Sequence, residues 1–251
     1  VAEKPKRPAY DLKKAGRRRD IAIRTGLTAI VLIFAVVLVG YIVISHDKKG
    51  DRESRAVRVT SGALVTKEGT NDPKAVVSFY EDFLCPACGN FERTFGPTVS
   101  NLIESGAIAA DYYMVGILSR PQNDDYSTRA GAAAYCVADE SVDAFGRFHA
   151  KLFTKAVQPE EVGGTYPDNA RLIELARQAG VVGKVPDCIN SGKYAPMVDG
   201  MASATDIHAT PTIRINGQDY DPSTPDALVA KVKEIVGDVP GLDTAARPPA
   251  Q

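Results

Sequence analysis

The chain contains no tryptophan, three histidines and four cysteines in 251 residues. At this length one domain buries a sizeable core unaided, so the fold does not depend on disulfide or metal staples, and any disulfide present has another reason. A zinc site is short of ligands. Cys85 and Cys88 would supply half of one, but Cys136 and Cys188 are isolated and His46, His149 and His208 are scattered, so no second close pair completes it. Net charge is also lacking: 30 Lys and Arg against 31 Asp and Glu leave −1, which gives no general attraction to nucleic acid or to acidic substrates. There is no internal repeat.

That balance hides an asymmetry. Before residue 25 stand nine basic residues, among them Arg17, Arg18 and Arg19, against three acids, Glu3, Asp11 and Asp20. Residues 26–45 then carry no charge at all. As a helix those residues would span about 30 Å, the thickness of a bilayer's hydrocarbon core. The positive excess on their N-terminal side predicts a cytoplasmic basic arm (1–25), a single transmembrane helix (26–45), a charged solvated linker (46–55), and an extracytoplasmic location for the rest of the chain. The competing reading is a cleaved signal peptide, for which the apolar core is long and Val43-Ile44-Ser45 is a poor cleavage site. All four cysteines lie in the part expected to face an oxidising compartment, and their number is even.

The folded domain is expected over 56–236. Residues 75–80, rich in β-branched and aromatic side chains, predict a buried strand. Phe91, Phe95, Val99 and Leu102 then recur at spacings of 4, 4 and 3, which predicts a helix from Cys85 to about Gly106, kinked at Pro97. Residues 108–115 predict a second strand, and a β-α-β order implies a parallel pair, hence an α/β class. Residues 125–205 are rich in Ala and amphipathic periodicity and predict a helical insertion, with helices near 127–137, 144–154, 169–179 and 197–205. Asn216-Gly217 predicts a hairpin. Thr224-Pro225 predicts the cap and first turn of a last helix ending at Val236. The tail, 237–251, is expected to be mostly disordered.

The chemistry is concentrated in Cys85-Pro86-Ala87-Cys88, at the junction of the first strand and its helix. Free N–H groups and the dipole of a helix N-terminus favour a thiolate there, so Cys85 is the expected nucleophile, with a lowered pKa. It would exchange with a disulfide or thiol through a mixed disulfide, and Cys88, one turn along, would attack that intermediate and release the partner. No metal or organic cofactor is required. A structural Cys85–Cys88 bond is the plainer alternative, but so small a ring constrains the unfolded chain little. For Cys136 and Cys188 a structural disulfide pinning the insertion is preferred, against two buried reduced thiols.

The run from Glu81 to Cys88 after a hydrophobic strand, the helical insertion, and His208-Ala209-Thr210-Pro211-Thr212 before a hairpin together resemble the DsbA-like disulfide oxidoreductases. With an anchor and two extra cysteines the chain is most similar to the membrane-anchored type of mycobacteria and related actinobacteria. The likeness spans residues 57–236 and implies a thioredoxin fold with a helical insertion. It also implies that Pro211 is cis against the active-site cysteines, with Thr210 positioning the substrate chain. The implied substrates are reduced or unfolded secreted proteins, and the implied recharging partner is an integral-membrane enzyme related to vitamin K epoxide reductase. One departure stands out: strong oxidants of the family carry histidine where this chain has Ala87. Oxidant and thioredoxin-like extremes differ by about 150 mV, roughly 7 kcal/mol for two electrons, so direction could turn on this position. Glu81 and Asp82 are each either a buried proton acceptor for Cys88 or a solvated loop acid. The alternatives to a disulfide-forming enzyme are a tethered reductase or isomerase and, in another class, a non-catalytic chaperone module. Leu84 replaces the tryptophan common before the motif in reductases.

Overall fold

The computed structural model describes residues 54–242 apart from residue 182. The basic arm, the 26–45 span, most of the linker and residues 243–251 lie outside the described residues. Among the described residues no helix is long and apolar enough to cross a membrane.

Strand β1 (Val57–Val59) is followed by β2 (Val76–Glu81), helix α1 (Pro86–Glu104) and β3 (Ala109–Met114). β2 and β3 pair in parallel, Val76 opposite Ala109 and Glu81 opposite Met114. A parallel pair needs a crossover, and α1 provides it. Phe79, at the centre of β2, has no exposed surface and lies between Phe91 of α1, 6.0 Å away, and Tyr112 of β3, 5.1 Å away. The apolar stripe of α1 that the spacing marked, Phe91, Phe95, Val99 and Leu102, is buried, and the helix continues through Pro97. Gly106 ends the turn after it at φ +76°, where a Cβ would collide with the backbone carbonyl of Ala63. Glycine meets both demands.

The insertion contains α2 (Tyr126–Glu140), α3 (Val142–Leu152), α4 (Asn169–Gln178), α5 (Val185–Ser191) and α6 (Ala195–Ala204). The chain returns as β4 (Thr212–Ile215) and β5 (Gln218–Asp219) and ends in α7 (Pro225–Val236). The completed sheet has the order β1-β3-β2-β4-β5, with β2 against β4, β4 against β5 and β1 against β3 all antiparallel. Asn216 and Gly217 both have positive φ, 50° and 80°, the demand of the tight turn that joins β4 to β5. Thr224 caps α7 by accepting from the Ala227 amide at 3.1 Å.

The structure departs from the sequence reading at both ends of the domain and inside it. Arg55, assigned to the solvated linker, is tied to the insertion. Its guanidinium meets Asp139 at 2.8 Å and lies over the rings of Tyr135 and Tyr194, while its carbonyl accepts from the Tyr135 hydroxyl at 2.7 Å. Residues 237–242, assigned to the disordered tail, are ordered, because Leu242 finds an apolar slot and is 1% exposed. Strand β1 and helix α5 were not expected; three and seven residues are too few to show a period.

Candidate active site

Cys85 is the N-cap of α1, with extended backbone, and Pro86 occupies the first turn. Both thiols are free; Cys85 is 7% exposed and Cys88 has no exposed surface. The Cys85 thiol donates to the Thr210 carbonyl at 3.3 Å, and the Thr210-Pro211 peptide is cis. The Cys88 thiol, the Thr210 side chain and the backbone N–H groups of Cys88 and Ala87 together outweigh burial and lower the Cys85 pKa to about 6. For Cys88 the direction reverses: burial, the neighbouring Cys85 sulfur and the Glu81 carboxyl push its thiol far up. One sulfur is thus poised as a thiolate and the other is held as a thiol.

The loop carrying Cys85 is held from two sides. Gln158 donates to the carbonyls of Cys85 at 2.9 Å and Phe83 at 3.3 Å, and its own oxygen accepts from Arg93 at 2.9 Å. Gly89 makes room for this, since a Cβ there would overlap the Gln158 side chain. On the other side, buried Asp82 accepts from the amides of Leu84 at 2.8 Å and Leu118 at 2.9 Å. Burial raises Asp82 to about 6, with those amides restraining the rise.

Glu81 faces the opposite way and is fully buried. Its Oε2 lies 2.8 Å from His149 Nε2, and His149 Nδ1 lies 3.9 Å from Glu92 Oε2. Burial raises Glu81 and Glu92 each to about 8 and lowers His149, so all three are driven toward neutrality. His149 sits among Phe83, Tyr112, Phe145 and Phe153, with ring centroids at 4.8 to 5.6 Å. Polar atoms of the three lie within 4.8 Å of one another, with the two carboxyls on opposite nitrogens of the imidazole.

The structure therefore brings Cys85, Pro86, Ala87, Cys88, Thr210 and Pro211 together, with Glu81 and Asp82 at the base of the same loop. Both acids are buried, so neither is a solvated loop acid. Cys136 and Cys188 lie within the insertion and form a disulfide joining α2 to α5, Cα atoms 5.8 Å apart. Gln158, Arg93, Glu92 and His149 were missed. For two of them a signal existed: Glu92 is four residues after Cys88 on one helix face, and His149 interrupts the apolar series Phe145, Phe148, Leu152.

Residues 66–234 match a family model described as thioredoxin. The chain is 71% identical to the reduced DsbA of Mycobacterium tuberculosis, with a TM-score of 0.75, over 76% of this chain and 97% of that one. To the reduced disulfide oxidoreductase DsbG of the same organism it is 70% identical, TM-score 0.75, over 79% and 93%. It is also 29% identical over 126 residues to the serine/threonine-protein kinase PknE of M. tuberculosis, a stretch covering 49% of this chain but only 22% of the kinase. With a family match across most of its length and a near-complete relative at this identity, the chain belongs to the thioredoxin family and is a DsbA-type thiol-disulfide oxidoreductase.

Proposed function

We propose that this oxidoreductase introduces disulfides into secreted or cell-envelope proteins through the Cys85–Cys88 pair. The observation that carries the reading is the asymmetry of the two sulfurs, one reachable and thiolate-stabilised, the other sealed and thiol-stabilised. A client thiolate attacks Cys85 Sγ of the Cys85–Cys88 disulfide; that bond breaks, and the Cys88 thiolate leaves and takes up a proton. A second client thiolate then attacks the client sulfur of the mixed disulfide, the client disulfide forms and the Cys85 thiolate leaves. Two electrons pass from client to enzyme, and no metal or organic cofactor takes part. A good leaving thiolate at Cys85 favours this direction.

Thr210 and Pro211 would hold the client chain beside Cys85, a role supported by the contact between the Thr210 carbonyl and the Cys85 sulfur. Of the two buried acids, Glu81 is the better proton partner for Cys88. Asp82 is committed to two backbone amides, whereas Glu81 Oε1 has no hydrogen-bond partner among the described residues and its carboxyl acts on Cys88. The charge-free run 26–45 with its basic flank supports a single-pass anchor that places the catalytic domain outside the cytoplasm. By family resemblance, the enzyme that restores the disulfide is an integral-membrane relative of vitamin K epoxide reductase.

The test is oxidative refolding of a reduced, unfolded client by the full-length chain. Catalysis lost in Cys85→Ser is expected. Client binding that persists with no catalysis even in the intact protein would replace this reading with a chaperone module, and net reduction of client disulfides would replace it with a reductase. A reporter fused after residue 55 is expected to be active only outside the cytoplasm.

A further inference from the structure

The proposed reaction requires a proton to reach Cys88 when the client is oxidised and to leave it when the enzyme is recharged. Cys88 and Glu81 have no exposed surface, so neither exchanges protons with water directly. His149, hydrogen-bonded to Glu81 at 2.8 Å, and Glu92, whose side chain is 7% exposed, both line an open groove of about 700 Å³ between α1 and α3. The lining of that groove includes neither Cys85 nor the Thr210-Pro211 loop.

We propose that Glu81, His149 and Glu92 form a proton path connecting Cys88 to solvent in this groove, separate from the surface where clients dock. The inference rests on Glu81 being the proton partner of Cys88. In recharging, Cys88 Sγ attacks Cys85 Sγ of the mixed disulfide; the Cys85–Cys88 bond forms, the partner thiolate leaves and the Cys88 proton passes to the Glu81 carboxylate. Glu81 gives it to His149 Nε2, and the proton on His149 Nδ1 leaves toward Glu92 and the groove. The Nδ1 to Oε2 separation of 3.9 Å exceeds a direct hydrogen bond, so a bridging water or a side-chain shift of under about 1 Å completes the link. Imidazole takes a proton at one nitrogen and releases one at the other, so it changes tautomer and gains no net charge in its apolar cage. Client oxidation then runs the path in reverse and restores the first tautomer, so the two halves of the cycle balance.

A second observation points the same way. Glu81 Oε1 and Glu92 Oε1 are buried without a hydrogen-bond partner among the described residues. The two carboxyls lie close enough for one, when protonated, to donate to the other, so buried proton-carrying groups are continuous from Glu81 to the groove. The titratable groups facing His149 are Glu81 from β2, Glu92 from α1 and Tyr112 from β3, with Cys85 and Cys88 beyond Glu81. The groove is also lined by Arg93, Glu104, Asp143 and Arg147. Burial raises both carboxyls and lowers His149, so each of the three favours its neutral form, as a relay that passes a proton without storing charge requires.

The test is single-turnover resolution of a mixed disulfide at Cys85 in the full-length protein, followed against pH for the wild type, Glu81→Gln, Glu92→Gln and Glu92→Asp. Expected is a slowing of about a hundredfold for Glu81→Gln and about tenfold for Glu92→Gln, each with an enlarged solvent deuterium effect. Glu92→Asp should recover most of the rate, and the Cys85 thiolate titration should stay in place in both Glu92 variants. A slow Glu81→Gln beside a Glu92→Gln with wild-type rate and pH profile would overturn the path while sparing the role of Glu81. A wild-type rate in Glu81→Gln would overturn both.

Discussion

The side-chain amide of Gln158 donates to the backbone carbonyl of Cys85 at 2.9 Å, so a residue 73 positions downstream fixes the loop that aims the reactive sulfur. Gln158→Ala leaves the Cys85 and Phe83 carbonyls without this donor and should cost about 1–3 kcal/mol in urea unfolding. Gly89→Ala should act in the same direction, because its methyl group displaces Gln158.

Reduced protein should show a single thiolate titrating near pH 6 by ultraviolet absorbance, with Cys88 silent through the alkaline range. The Cys85 pKa falls from 9.0 in the unfolded chain to about 6, so its stabilising contribution is complete above pH 9, declines between 9 and 6 and is absent below. Cys88, whose pKa is raised, works against the fold as pH climbs past 9. The stability of reduced relative to oxidised protein should therefore rise from pH 6 to 9 and then turn down. Urea midpoints of both forms across that range measure it.

At pH 7 the Cys85 effect amounts to at most about 1.4 kcal/mol, on the order of 30 mV toward the oxidising side, and solvent screening at the open face of the sulfur reduces it further. Equilibration in glutathione buffers should therefore give a potential above the roughly −270 mV of thioredoxin. Ala87→His should move it higher and the Cys85 titration lower, since a cation near the sulfur favours the thiolate.

The two loop acids should separate cleanly. Asp82→Ala removes the acceptor of two backbone amides and should destabilise the domain by about 2–4 kcal/mol. Glu81→Gln relieves a buried acid with an unpaired oxygen and should leave stability equal or higher while slowing the Cys88 steps. Calorimetry paired with the kinetic assay distinguishes the two.

Replacing Cys136 and Cys188 together by serine opens a link across 52 positions, worth about 4 kcal/mol in the chain-entropy account. Stability measured with the Cys85–Cys88 pair oxidised should fall by up to that amount. The Cys85 titration should not move, because the link lies between α2 and α5.

Where the sequence was legible, the signal was local. The stripe from Phe91 to Leu102, the Asn216-Gly217 turn and the Thr224 cap each declare themselves within a few residues, and each stands in the structure as expected. Helix α5 carries Cys188 yet has only seven residues, too few for a period to emerge. Arg55 and Leu242 look like linker and tail because only three-dimensional neighbours, the Tyr135 and Tyr194 rings and an apolar slot, hold them. The site divides in the same way. Cys85 and Cys88 are a motif, but Gln158 and His149 reach the active-site loop from distant segments, and nothing in linear spacing joins them to it.

The sealing of Cys88 makes the enzyme a single-entry turnstile. An outside thiol can reach one sulfur only, so every trapped complex carries its passenger at Cys85, and one passenger at a time. Release through Cys88 is then set by events inside the domain and not by the crowd of waiting proteins. The dwell time of a stalled pair on that route should be independent of concentration, an internal clock built from burial alone.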